Sequence, residues 1–236
     1  VSPDGEILAW GQLYSSDPTG VYQYSLGQFV PNTNPWGLWK LNIAELILGE
    51  DPHLSNITSE RVGNGNFYET QGWSSDSSRL IFASDIGKDH PYRIDIWSYS
   101  VRTKDLQHLI NTQNNWEEMA AYSPDNKKIS YMSSACCSWI PGENAIPFRE
   151  TLATELYIMD SNLKNKRKLT AFNVDGLPSN SIFGEKKNIR AIVAGQEWSS
   201  NGESIYFEMP FYNKSDNKIA GSGLWKLEFE GNCGKK

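Results

Sequence analysis

The sequence predicts an all-β protein with the architecture of a β-propeller. Two observations support this prediction: a turn motif that occurs four times within the 236 residues, and a short aromatic strand motif that follows each copy. An internal repeat of this kind indicates similar supersecondary units that pack side by side.

The turn motif connects the end of one strand to the start of the next. Each copy has Pro or Ser, then Asp or Asn, then Gly, Asn or Ser, which are the residues that β-turns prefer. Short β-prone runs lie on both sides, so each copy predicts a β-hairpin. The four copies are Val1–Gly5, Trp73–Ser77, Tyr122–Asn126 and Trp198–Gly202.

The second motif places a large aromatic residue in a third strand. These residues are Trp39, Trp97, Tyr157 and Trp225. Because they recur at one place in the repeat, we expect them to pack between adjacent blades rather than to bind a ligand. Three or four strands per repeat, with periodic glycine and aromatic residues, are typical of propeller blades.

The spacing of the repeat defines the blades. The turn serines stand at positions 2, 74, 123 and 199, so successive copies are 72, 49 and 76 residues apart. Since a blade needs about 40–50 residues, the middle step is one plain blade and the outer steps carry about 25 residues of extra loop. The sequence therefore predicts one propeller segment with blades at residues 1–66, 67–114, 115–189 and 190–236.

Each blade has its own predicted strands. In blade one a first strand ends near residue 11, a loop follows to residue 36, and a third strand covers 37–43. Ala44–Gly49 is then an outer strand or a helical turn, and 51–66 is loop. Blades two and three each have four strands, predicted at 67–73, 79–85, 93–100 and 105–110, and at 115–122, 128–134, 154–160 and 166–170. Blade four has strands at 190–198, 203–209 and 223–230.

The two ends of the chain do not complement each other. Blade one lacks most of its inner strand, and blade four lacks an outer strand unless residues 231–236 supply it. A closed propeller joins its termini within one blade and leaves no open sheet edge. We therefore predict an open arc of about four blades from a six- or seven-bladed ring, with a closed four-bladed ring as the alternative. Because the sequence begins at Val1 inside a repeat, we expect a mature chain or a fragment.

Composition narrows the choice of partner. The net charge of −6 disfavours a nucleic-acid backbone as the partner. No apolar run in the given sequence is as long as a membrane span, and no stretch of it has the pattern of a signal peptide. Cys136, Cys137 and Cys233 lack the spacing of metal ligands. A disulfide between neighbouring cysteines is rare, so we expect Cys136 and Cys137 to be two small residues at a strand end, one of them buried.

Several segments carry a family resemblance. Ser123–Asn126, Leu156–Asp160 and Arg167–Thr170 in blade three, together with Ser84–Gly87 in blade two, resemble the TolB-like (WD-type) β-propeller repeat family. The resemblance implies a six- or seven-bladed parent ring. It also implies either a periplasmic or extracellular binding module, or the propeller portion of a serine peptidase or polysaccharide lyase.

The residues that catalysis would need are not found together. A serine peptidase of this type needs Gly-x-Ser-x-Gly, which the sequence lacks. A lyase site would need several histidines around a metal. We expect His53, His90 and His108 to be unrelated surface residues. Catalytic residues, cofactors and a metal site built from these histidines are therefore not predicted within this chain.

The inner strands carry polar residues that we expect to line the central channel, because alternate side chains of these strands face it. They are Glu69, Gln71, Glu118 and Gln196. A solvated channel is one interpretation, and a cation or sugar site is the other. Aromatic residues on the insertions are candidates for loop contacts with a partner. They are Tyr22, Tyr24, Trp36, Trp139 and Phe148.

The sequence favours a non-enzymatic propeller module that presents loops to a protein or carbohydrate partner, with a divalent cation at the channel mouth as a further expectation. The alternative is the propeller portion of a larger enzyme whose catalytic part lies outside this chain. The expected compartment is periplasmic or extracellular, although a cytoplasmic location is compatible with the sequence.

Overall fold

Four antiparallel sheets, one per blade, make up the fold. The computed structural model describes residues 1–15, 37–88, 93–137, 151–174 and 189–230. The sheet of blade one contains β1 (Ile7–Ser15), β2 (Leu38–Ile47) and β3 (His53–Glu60). Blade two contains β4 (Tyr68–Trp73), β5 (Leu80–Ser84), β6 (Asp95–Tyr99) and β7 (Leu106–His108). Blade three contains β8 (Glu117–Tyr122), β9 (Lys128–Ser133), β10 (Glu155–Asp160) and β11 (Arg167–Lys168). Blade four contains β12 (Ile189–Ala191), β13 (Ala194–Trp198), β14 (Ser204–Asn213) and β15 (Ile219–Glu228).

Strands that are consecutive in the chain pair in the sheets. Blades two and three run from an inner to an outer strand, in the order β4-β5-β6-β7 and β8-β9-β10-β11. Blade one has the order β1-β2-β3, so among the described residues it has no strand equivalent to β4. In blade four, β12 and β13 both pair with β14, and β15 is the outermost strand of the described segments. The prediction of an open arc of about four blades is confirmed.

The repeated turn owes its shape to its serine. In blade three, Ser123 Oγ donates a hydrogen bond of 2.7 Å to Asp125 Oδ1 and accepts one of 2.9 Å from the Lys128 amide. The same pair of bonds occurs around Ser2, Ser74 and Ser199. The hydroxyl thus connects the turn to the residue at or just before the start of the next strand. The motif closes a hairpin as predicted in blades two, three and four, whereas in blade one no described strand precedes the turn.

Neighbouring blades bury their apolar side chains against each other. β5 shows the pattern, because Leu80 and Phe82 pack against blade one whereas Ile81 packs against blade three. A strand that is buried on both faces reads as a continuous apolar run. Each fully buried Leu, Ile or Phe side chain stabilises the fold by roughly 1.5–3 kcal/mol. The junction between blades three and four buries Leu156, Phe172, Ile205, Phe207 and Met209.

Three of the four third-strand aromatics face the preceding blade. Trp97, Tyr157 and Trp225 pair across the sheet with Phe82, Tyr131 and Phe207. Trp97 is buried between blades one and two, as we predicted for this position.

Trp39 does not share this position, which corrects the sequence alignment. It pairs with Leu13 and packs edge-on against Phe67 of the following blade, with the ring centroids 5.5 Å apart. In blade one the residue opposite Trp10 is Asn42, so the strand is three residues out of register with the aligned motif.

Other corrections concern blade one and the cysteines. Residues 51–66 were expected to be loop, but they include β3 and a short 3-10 turn at Val62–Asn64. β2 extends through Ala44 to Ile47, and β3 pairs with it. Cys136 and Cys137 form a disulfide bond with each other, and both are half-buried, so the expectation of two free small residues was wrong.

Exposed large apolar side chains occur only in the two terminal blades of the described structure. They include Leu13 and Ile57 in blade one, and Tyr206, Ile219 and Leu224 in blade four. The buried clusters within the described segments join blade one to two, two to three and three to four. The described part of the chain contains no helix long and apolar enough to cross a membrane.

Candidate functional site

Each inner strand carries a bulge at nearly the same place. The register shifts between Thr70 and Gly72 in β4, between Glu118 and Ala121 in β8, and between Ala194 and Gln196 in β13. Bulges bend a strand and change where its side chains point, and they are common near functional sites. The inner wall of the arc is therefore shaped by three equivalent irregularities.

Glu69 and Glu118 occupy equivalent positions, because they pair with Ala83 and Met132 at the same point of successive blades. Glu118 is buried, and its Oε2 accepts a 2.9 Å hydrogen bond from Trp116 Nε1. Burial, followed by the neighbouring Glu69 carboxyl, raises the pKa of Glu118 well above its usual range. The structure brings these two predicted residues together, with Glu118 inside the wall and Glu69 partly exposed.

Gln71 connects two inner strands. Its Oε1 accepts a 2.8 Å hydrogen bond from the amide of Ala120, inside the bulge of β8. Gln196 occupies the same position relative to Trp198 as Gln71 does to Trp73. Its side chain is buried, and neither of its polar atoms has a hydrogen-bond partner in the described structure. The two predicted glutamines thus differ: one links strands, and the other is an unpaired amide.

A groove of about 410 Å³ lies where the inner strands converge. Its lining includes Gln71 and Trp73 from β4, Tyr122 from β8 and Glu197 from β13. Burial raises the pKa of the Tyr122 hydroxyl, which interacts with Ser98 and Arg79 of blade two. Glu197 is exposed, so the groove has aromatic walls and a carboxylate at its edge.

Two further buried acids occupy equivalent positions in blades two and three, and both have a structural role. Asp95 and Glu155 each open a third strand. Asp95 contacts Lys88 Nζ at 2.5 Å and His108 Nε2 at 2.7 Å. Glu155 accepts hydrogen bonds from Thr170 Oγ1 and the Asn173 amide. Asp95 also accepts a hydrogen bond from the Thr112 amide. Because each acid binds the segment that follows the fourth strand of its own blade, Asp95 holds blade two together and Glu155 holds blade three together.

The histidines are separated in the fold. His53 is exposed at the start of β3, and His90 lies outside the described residues. His108 is half-buried and stacks on Trp97 with the ring centroids 3.7 Å apart, so it is not the free surface residue that we expected. Across the described ranges, no three His, Cys, Asp or Glu side chains are grouped so that they could hold a metal ion.

A second groove lies at the hairpin-turn end of the arc, between blades three and four. It has a volume of about 460 Å³, and its lining includes Pro124, Arg167, Trp198, Gly202 and Phe229. The rings of Trp198 and Phe229 stack with their centroids 5.5 Å apart. Sequence reasoning missed this groove. The sequence feature that could have revealed the groove is the presence of Pro124 in the turn of blade three and of Gly202 in the turn of blade four.

No protein-family model and no curated protein matches the chain. Among solved structures, it is similar to TolB from Acinetobacter baumannii, with 16% identity, a TM-score of 0.43, and coverage of 82% of this chain and 38% of that one. It is also similar to an oligogalacturonate lyase in complex with manganese, with 12% identity, a TM-score of 0.48, and coverage of 92% and 50%. A prolyl endopeptidase structure gives 10% identity, a TM-score of 0.50, and coverage of 95% and 26%.

Identities this low show the fold alone, which agrees with the sheet order and the repeated turns. The fold is that of a β-propeller. This propeller arc spans between 26% and 50% of the length of the three structures above.

The loop candidates of the propeller arc cannot be placed. Tyr22, Tyr24, Trp36, Trp139 and Phe148 all lie outside the described residues, as does Cys233. Their role in partner contacts stays a prediction, and so does the role of the inner polar residues in lining a channel.

Proposed function

We propose that this chain is a non-enzymatic β-propeller module that binds a partner protein at the inner face of the arc. The groove lined by Gln71, Trp73, Tyr122 and Glu197 carries the proposal. Aromatic walls with a few convergent polar groups are typical of recognition sites in proteins. A periplasmic or extracellular compartment is part of this proposal.

A random 12-residue peptide library displayed on phage tests the proposal against the immobilised chain. We expect enriched peptides whose binding is lost in Glu197→Lys, because reversal of an exposed charge at the rim changes recognition without burying a new group. Gln71→Ala should also weaken binding. Glu230→Lys is the matched control, since Glu230 is exposed on blade four but lies outside this groove.

Enrichment that the Glu197 and Gln71 variants do not reduce would refute the inner groove as the site. Binding restricted to a glycan array, with the same dependence on these residues, would replace the protein partner by a carbohydrate. The alternative of a propeller portion of a peptidase or lyase is tested by the full reading frame. A neighbouring segment with Gly-x-Ser-x-Gly would replace the binding module by that enzyme.

A further inference from the structure

Hydrogen bonds connect the repeated turns of neighbouring blades. The amide of Asp4 in blade one donates a 3.0 Å hydrogen bond to Ser77 Oγ in the turn of blade two. The amide of Ser75 in blade two donates a 2.7 Å hydrogen bond to Asn126 Oδ1 in the turn of blade three. In both junctions the acceptor is the last residue of the next turn motif, and it has a positive φ, +58° for Ser77 and +57° for Asn126. The donor is the fourth residue of the motif in the first junction and the third residue in the second.

The third junction cannot form this bond. The residue of blade three that matches the donor Ser75 is Pro124, which has no amide hydrogen. Asp125, which matches the donor Asp4, has one. The residue of blade four that matches Ser77 and Asn126 is Gly202, which has no side chain, and its φ is +72°. The missing acceptor is therefore what prevents the bond. A Cβ at Gly202 would lie 3.7 Å from Pro124 Cδ, an ordinary contact, so there is room for a side chain there. The groove between blades three and four occupies this junction.

The charges around this groove leave one cation unmatched. Lys127 contacts Asp125 at 3.2 Å, and Lys128 forms an ion pair with Asp160. The guanidinium of Arg167, on the short outer strand β11, lines the groove and has no hydrogen bond or ion pair within the described residues. The acid that it influences is Asp160, whose pKa is lowered first by the hydrogen bond from Lys128, with which it is already paired, and to a smaller extent by Arg167. Asp125 also lines the groove. Arginine recognises carboxylates through two parallel hydrogen bonds, so an unmatched guanidinium in a groove suits a carboxylate ligand.

The lining of this groove also includes apolar side chains. The stacked rings of Trp198 and Phe229, together with Pro124 and Ile158, offer an apolar surface to a ligand. Trp198 Nε1 already donates to the carbonyl oxygen of Ala121 at 3.3 Å, so the ring is held in place. A ligand for this groove therefore combines one carboxylate with one apolar side chain.

We propose that the groove between blades three and four binds an acidic peptide segment of a partner protein, with a carboxylate on Arg167 and an apolar side chain against Trp198 and Phe229. This site goes beyond the inner groove of the proposed function and uses none of the residues that carry it. Each proposal can therefore fail without the other.

The test uses two capped peptides that differ in one residue, acetyl-Ser-Gly-Glu-Leu-Ser-Gly-amide and the same sequence with Gln in place of Glu. Binding is followed by amide and indole chemical shifts in two-dimensional NMR of the whole chain. We expect the Glu peptide to shift the Trp198 indole signal and the turns at 123–126 and 200–202. The Gln peptide should bind at least about tenfold more weakly, which corresponds to about 1.4 kcal/mol.

Three variants locate the site. Arg167→Gln should reduce binding of the Glu peptide to the level of the Gln peptide. Gly202→Asn should abolish binding, because its side chain enters the groove, and asparagine already takes this conformation at Asn126. Ser77→Asn is the matched control at the first junction, and it should leave binding unchanged.

Equal binding of the two peptides, or no shift up to about 5 mM of either, would overturn the proposal. Loss of binding in Ser77→Asn as well would also overturn it, since the effect would then not be local to this junction. Should Gly202→Asn fail to fold, Arg167→Gln decides the outcome because residue 167 is exposed. Shifts confined to the inner groove around Tyr122 would assign the peptide to the other site and refute this one.

Discussion

Gly11 lies where blade one approaches blade two most closely among the described glycines. A Cβ built at Gly11 would lie 2.1 Å from the carbonyl oxygen of Tyr68, a backbone atom that cannot rotate away. The absence of a side chain at this residue therefore allows β1 to pack against β4. At Gly72 the equivalent Cβ would lie 3.7 Å from Ile81 Cγ2, which is an ordinary contact.

We expect Gly11→Ala to lower the free energy of unfolding by about 2 kcal/mol or more, because the added methyl group forces the two blades apart. Gly72→Ala is the matched control, since it adds the same atoms on an inner strand without a clash. Urea denaturation of both variants measures the difference. Similar unfolding midpoints for the two would show that blades one and two are not packed as described.

Glu117 should make the stability of the chain depend on pH. Burial raises its pKa from 4.5 to about 7, while Thr112 Oγ1 and Ser133 Oγ donate hydrogen bonds to it. Since the folded state binds this proton more tightly than the unfolded state, the contribution of Glu117 to stability is most favourable below about pH 4.5 and falls as the pH rises towards 7.

Glu117→Gln should remove this contribution to the pH dependence. We expect the variant to gain stability relative to the unmodified chain by about 1–3 kcal/mol between pH 5 and pH 7, because an amide does not ionise. Thermal unfolding across this range gives the comparison, with the exposed Glu50→Gln as control. A gap between the unfolding temperatures of variant and parent that stays constant with pH would contradict the assignment.

At the scale of the strand, the pairing register determines which neighbouring blade an aromatic side chain contacts. Residues 37–41 and 223–227 have the same sequence, Gly-Leu-Trp-Lys-Leu. Trp225 lies opposite Phe207 and approaches Phe172 of the preceding blade, with ring centroids 6.0 Å apart. Trp39 lies opposite Leu13 and packs on the following blade. The same five-residue segment therefore places its tryptophan on opposite faces of the two sheets.

Trp97 and Tyr157 share one strand position but differ in burial, so their truncation should differ in cost. We expect Trp97→Ala to reduce stability by about 3–5 kcal/mol, because the ring fills the junction between blades one and two. Tyr157 is half-buried and stacks on Tyr131 at 5.6 Å, so Tyr157→Ala should cost less. Chemical denaturation measures both, and unchanged stability in Trp97→Ala would mean that β6 is misplaced.

At the scale of the whole molecule, the exposed large apolar side chains of the described residues lie on the two terminal blades of the arc. Leu224 is 77% exposed on β15, which is the edge strand of blade four in the described structure. An exposed apolar edge strand can pair with another chain. The inner blades, two and three, have no exposed large apolar side chain within the described ranges.

We expect the chain to associate with increasing concentration and Leu224→Lys to weaken that association, since a charge on an edge strand opposes pairing. Lys226→Gln on the same strand is a control that changes charge without removing apolar surface. Sedimentation velocity over a range of concentrations measures the effect. A monomer at every concentration would show that these edges do not attract one another.

Much of the fold could be predicted from local patterns. The four Ser-containing turns, the strands that follow them and the propeller architecture were recognisable because turn residues and alternating apolar residues act over a few positions. The equivalence of Glu69 and Glu118 also followed from their distance to Trp73 and Tyr122. The position of a residue relative to a turn is a local property, so it can be read directly from the sequence.

The sequence alone therefore determined the repeat, its hairpins and the unmatched ends of the arc. Tertiary structure decided the face that Trp39 occupies, the burial of Glu118, the link from Gln71 to Ala120, and the groove between Pro124 and Gly202. Each of these depends on how one blade lies against the next, a long-range arrangement that strand register and bulges set. Local patterns repeat in every blade, whereas the contacts between blades join residues that are about 30 to 80 positions apart, such as Trp39 with Phe67 and Trp198 with Ala121.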